Sequence, residues 1–205
     1  EEGPLRAVVE FSLKISDVSS VTQQVILDGG CPYVKFQTEV NWHENRKFLK
    51  AEFPLNVHAL QCTYEVQSGY LQRPNHFNTS WDWAKYEVCG HKWADFSEYD
   101  FGVAVLNNNK YGWSCINNIL RLSLLRSPKA PDNKADMGLQ SFTYAMMPHN
   151  GTFQSARVIQ AAYELNVPLA LNELQLDAQV PDSDSYMTIS SPAVILQALK
   201  KAEDS

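Results

Sequence analysis

From its first residues the chain falls into a side-chain period of two. Val9, Phe11, Leu13 and Ile15 share one parity while Glu10, Ser12 and Lys14 take the other, and Val34, Phe36, Thr38, Val40 and Trp42 repeat the pattern after the turn-forming run Asp28-Gly29-Gly30-Cys31-Pro32. Alternate residues of a strand point to opposite faces, so this period belongs to strands with one face buried. Further strands are predicted over 47–53, 63–66, 85–91, 101–106, 119–125 and 142–147. Many short strands separated by turns, with no helical repeat between them, predict an all-β fold, a large antiparallel β-sandwich with little helix. Two stretches break the pattern. Residues 153–165 place Val158, Ile159, Ala162 and Leu165 at helical spacing, and 193–202 are helical by propensity. Between them the polar, acidic run 166–185, with Pro181-Asp182-Ser183-Asp184-Ser185, reads as a mobile loop. The expected organisation is a β domain over 1–165, a loop over 166–185 and a short terminal piece over 186–205.

A chain of 205 residues, 44% hydrophobic and 20% charged, can bury a substantial core. Its 17 basic and 23 acidic side chains leave a net charge of −6, which gives no footprint for nucleic acid or for an anionic membrane. No apolar run reaches the roughly 18 residues that a bilayer span needs. The opening Glu1-Glu2-Gly3-Pro4 lacks the basic start and apolar stretch of a secretory signal. Cys31, Cys62, Cys89 and Cys115 are widely spread, without Cys-x-x-Cys spacing or a zinc-finger histidine, and read as free thiols. Asn78-Thr79-Ser80 and Asn150-Gly151-Thr152 fit the glycosylation pattern, and read as turn residues.

The carboxylates Glu39, Glu44, Glu52, Glu65, Glu87, Asp95 and Asp100 fall in or beside predicted strands, where solvated faces and turn caps are the common case. None is assigned a catalytic role. Trp42-His43-Glu44 sets an imidazole beside a carboxylate, but strand neighbours face opposite ways, so Trp42 is read as an inward residue with a polar turn after it. His58, His76, His91 and His149 stand alone, and no metal site is predicted. Trp81 and Trp83 have the spacing to share one strand face, which a sugar-stacking platform would need. Leu106-Asn107-Asn108-Asn109-Lys110-Tyr111-Gly112-Trp113 carries strong turn chemistry between β-rich runs and reads as a hairpin tip.

Two long runs carry a resemblance. Arg73 to Glu87, centred on Asn75-His76-Phe77-Asn78, and Val40 to Lys50 resemble segments of the class II α-mannosidases, glycoside hydrolase family 38. Phe101-Gly102-Val103, Lys110-Tyr111-Gly112-Trp113, Arg126-Ser127-Pro128-Lys129-Ala130-Pro131-Asp132, Phe142-Thr143-Tyr144-Ala145 and Met147-Pro148-His149 follow in the family's order, with the cytosolic type the nearest in pattern. The resemblance implies a galactose-mutarotase-like supersandwich that is not itself catalytic. Its parent would hydrolyse terminal α-linked mannose from free oligosaccharides or N-glycans, with retention, in the cytoplasm. Both catalytic carboxylates and a divalent metal, zinc or cobalt, would belong to a catalytic barrel of the same polypeptide. No cofactor is expected in this chain, whose partners would be that barrel and a mannose-containing oligosaccharide. By the same resemblance Lys110 and Tyr111 would reach toward the sugar groove, and 193–202 would end as a strand. The alternative is a stand-alone carbohydrate-binding sandwich.

Overall fold

The computed structural model describes residues 3–171, 173 and 185–203. In chain order the elements are β1 (Arg6–Lys14), β2 (Ser20–Asp28), β3 (Val34–Trp42), β4 (Phe48–Pro54), β5 (Gln61–Val66), β6 (Gly69–Pro74), α1 (Ser80–Ala84), β7 (Val88–Cys89), β8 (Trp93–Ser97), β9 (Phe101–Asn107), β10 (Gly112–Ile116), β11 (Ile119–Arg126), β12 (Gly138–Asn150) and α2 (Val158–Asn166). Strand makes up 46% and helix 7%, so the antiparallel sandwich expected from the alternation is what forms. Eight strands make one sheet, in the order β1-β2-β3-β12-β9-β8-β5-β6. Four make the other, β4-β11-β10-β7, and the paired strands in both are antiparallel.

The period of two becomes two apolar layers. Val40 and Trp42 of β3, Tyr64 of β5, Phe96 of β8 and Phe142 of β12 look into the seam between the sheets, where Phe53, Trp113, Leu120 and Leu122 of the smaller sheet meet them. Trp42 is buried as expected, and its indole Nε1 donates to Ser127 Oγ at 2.7 Å, satisfying the one polar group it brings inside. On the outer face of the larger sheet, Trp93, Ala104, Leu106, Ala145 and Met147 pack under Val158, Ala161 and Ala162 of α2 and under Phe153. That helix covers only part of the face.

Several expectations shift in detail. The strand predicted over 85–91 shrinks to Val88–Cys89, which bonds the edge of the smaller sheet through Gly112 and Trp113. The helix predicted over 153–165 occupies Val158–Asn166, with turns before it. Strands β2, β6, β8 and β10 have no counterpart among the predicted ones. Residues 1–167 form one compact unit and 168–205 another; the described part of the second has no helix or strand, so 193–202 is neither. Most of the loop expected over 166–185 lies outside the described residues. All four cysteines are free thiols, and no helix among the described residues is long and apolar enough to cross a membrane.

Candidate functional site

The asparagine-rich segment is not a hairpin tip. β9 lies in the larger sheet between β12 and β8, whereas β10 lies in the smaller one between β11 and β7, so residues 107–112 carry the chain across from one sheet to the other. Asparagine chemistry builds that crossing. Fully buried Asn107 donates from Nδ2 to the carbonyl of His91 at 2.8 Å and accepts the Lys110 N–H at its Oδ1 at 2.6 Å. Its own carbonyl accepts from Asn166 Nδ2, which ties the crossing to the end of α2. Asn108 exchanges bonds with Thr143 of β12, giving its N–H to the Thr143 carbonyl and accepting the Thr143 N–H at Oδ1.

Lys110 and Tyr111 sit side by side at this crossing but differ in freedom. Lys110 is half-buried with its ammonium 4.7 Å from the centroid of the Phe142 ring. Burial pulls its pKa below the usual lysine value, and the charge of Asp136 opposes that shift. Tyr111 is 51% exposed, its ring edge-on to His91 with centroids 5.5 Å apart and its carbonyl accepting the Gly90 N–H. Its phenol is therefore open to solvent.

Trp81 and Trp83 are exposed, but they do not share a strand face. Trp81 and Trp83, 77% and 65% exposed, lie on the five-residue α1 rather than on a strand. Thr79 and Asp82 form a reciprocal capping box at its start. Trp83 stacks on Phe77 at 5.1 Å and Phe77 on Tyr86 at 5.7 Å, which leaves Trp81 outside the stack.

Three carboxylates expected in solvated faces or turns are buried. Glu44 accepts from Ser16 and pairs with Lys47 at 2.6 Å, contacts that hold its pKa below the ordinary range, so the Trp42-His43-Glu44 run holds no reactive pair. Glu65 takes the Lys92 ammonium at 2.9 Å and the Lys92 N–H at 2.6 Å. Asp95, 2% exposed, meets His149 Nε2 at 2.8 Å and accepts from Ser97 Oγ at 2.5 Å. His149 is thus not alone. Burial works against a charge on its ring, but the bond and charge of Asp95 outweigh it and the pKa is raised. Gly102 makes the cluster possible: a Cβ there would stand 2.1 Å from Ser97 Oγ and 2.8 Å from His149 Cε1. Sequence reasoning missed this pair because its members are 54 residues apart. No group of three metal-binding side chains occurs among the described residues.

The described residues form a two-sheet antiparallel β module whose sheets are joined by a polar crossing. The sequence profile of the glycosyl hydrolases family 38 C-terminal domain matches residues 1–134, and the chain belongs to that family. It is 58% identical to Alpha-mannosidase 2C1 of Mus musculus across 98% of its own length and 19% of the relative's. It is also 44% identical to Alpha-mannosidase G of Dictyostelium discoideum across all of its length and 19% of that protein's. The chain therefore spans about a fifth of the length of these relatives. Among solved structures an alpha-mannosidase from Enterococcus faecalis superimposes with a TM-score of 0.66 over 73% of this chain and 18% of that one, at 16% identity, a likeness of fold.

Proposed function

We propose that this chain is the non-catalytic β domain of a cytoplasmic α-mannosidase, bracing a catalytic barrel of the same polypeptide and helping to shape its sugar groove. The observation that carries this reading is the 58% identity along nearly the whole chain to a fifth of an α-mannosidase. In the parent, terminal α-linked mannose leaves free oligosaccharides or N-glycans with retention, through two carboxyl groups of the barrel. By the family resemblance a divalent metal, zinc or cobalt, would belong to the barrel as well. In this reading Lys110 and Tyr111 face the groove from the crossing between the sheets. The stand-alone sugar-binding sandwich has no observation in its favour, given relatives some five times longer.

The test is complementation. The purified chain should turn over no aryl α-mannoside with zinc or cobalt added, and mixing it with a separately expressed barrel portion of the parent should raise that portion's turnover. Turnover by the chain alone, or no effect on the barrel, would refute the reading.

A further inference from the structure

The outer face of the larger sheet holds a cavity of about 280 Å³ beyond the end of α2's cover. Its walls come from β5 and β6, from the end of β8, and from the turn after β12. It lies toward the Phe101 end of β9, whereas Lys110 and Tyr111 follow the other end, about 20 Å away at the rise of a strand.

What the cavity offers is hydrogen-bonding capacity that the fold leaves unused. Asp95 lines it, almost wholly buried, with Ser97 and His149 fixing the carboxylate but not filling all of its acceptor positions. Thr63, 6% exposed, also lines it, and its hydroxyl has no partner among the described residues. Gln61, Gln72 and Gln154 also line it, with no side-chain hydrogen bond among the described residues. Hydroxyl and amide groups that open on the cavity can exchange hydrogen bonds with a ligand.

We propose that this cavity binds a neutral polyhydroxylated ring, a single pyranose unit. Each feature matches that class. A carboxylate accepts from two neighbouring hydroxyls, primary amides both donate to and accept from a hydroxyl, and Tyr70 beside Phe153, ring centroids 5.0 Å apart, supplies an apolar wall for the C–H face. The lining holds Asp95 and Glu98 and no lysine or arginine, so an anionic ligand is repelled. Asp95 is already matched by His149, and Glu98 accepts the His58 N–H at 2.7 Å, so neither carboxylate demands a cation.

An amide chemical-shift titration of the 205-residue chain with methyl α-mannopyranoside tests this, with glucuronate as the charged comparison. Saturable shifts at Gln72, Asp95 and Gln154 are expected with the mannoside and not with glucuronate. Gln72→Ala and Gln154→Ala, both exposed and with no side-chain hydrogen bond among the described residues, should each weaken binding about tenfold while keeping the wild-type thermal midpoint. Val9→Ala, exposed on β1 at the opposite edge of the sheet, should bind as the wild type does. The proposal is overturned by absence of saturable shifts, by wild-type affinity in both glutamine variants, by equal binding of glucuronate, or by loss of binding in Val9→Ala. Turnover is not read, so the result does not depend on the groove role of the chain.

Discussion

Strand β8 shows two sets of building rules within five residues. Ala94 and Phe96 point into the seam, where a second sheet closes over them, while Trp93, Asp95 and Ser97 point outward, where α2, Phe153 and a turn lie above. Closure on both sides leaves no room for water, and seam residues are mostly apolar; Trp42 carries a polar atom with a fixed partner, whereas the buried indole N–H of Trp113 has none among the described residues. The outer face is roofed in part, and at its open end the buried carboxylate of Asp95 bonds to the buried imidazole of His149 and to the half-buried Ser97 hydroxyl, while His149 Nδ1 has no partner among the described residues. Burial alone does not separate the faces: Phe96 is fully buried and Asp95 nearly so. What separates them is whether a polar neighbour can be reached.

The contrast is broken most severely from the inside. Phe96→Ala removes a ring from a seam that cannot collapse without moving two sheets, and should lower unfolding free energy by about 3–5 kcal/mol in a denaturant titration. Val9→Ala on β1, where the side chain is 65% exposed, should stay within about 0.5 kcal/mol and marks the other limit. If the two cost the same, the seam is not the stabilising layer.

Outside, the expected loss is smaller and depends on pH. Asp95→Asn keeps the shape but gives up the charge in two buried hydrogen bonds, a loss of about 1.5–3 kcal/mol by the same titration. His149 titrates above its ordinary value of 6.5 in the folded chain. A raised folded pKa means that the ionised ring adds stability that is complete below the unfolded value and lost as pH rises through the folded one. The thermal midpoint should therefore fall as pH climbs upward from about 6.5, the unfolded value. His149→Gln should flatten that fall, and an unchanged slope would show that the pair does not govern it.

Strands written with clear alternation, such as β1, β3 and β11, could be read directly from sequence, and with them the sandwich. β8 and β10 could not. Each is five residues long, with its middle residues buried on both faces, so small and apolar residues fall on both parities and the period disappears. β2 was hidden by Gln23 and Gln24, whose amides reach Tyr144 and Glu10 across the sheet. The capping box at Thr79 and Asp82 was legible and would have placed Trp81 and Trp83 on a helix; spacing alone put them on a strand. The pairing of Asp95 with His149 needed the order β8-β9-β12, which brings Ser97 and His149 to the two sides of Gly102. No local pattern encodes that order.

The smallest expected effect belongs to the crossing between the sheets. Its structural work is done by Asn107 and Asn108, whose amides bond to both neighbouring segments, while Tyr111 contributes a half-exposed ring against His91 and a backbone carbonyl that any residue would supply. Tyr111→Ala should therefore leave the thermal midpoint nearly unchanged. If the phenol faces the sugar groove of the parent, the same substitution removes one stacking or hydrogen-bonding partner of the transition state, about 1.4 kcal/mol or tenfold in catalytic efficiency. Both quantities should be measured on one preparation of the full-length parent. A large drop in midpoint beside unchanged efficiency would make Tyr111 a packing residue, and the crossing would then be scaffold from Asn107 to Gly112.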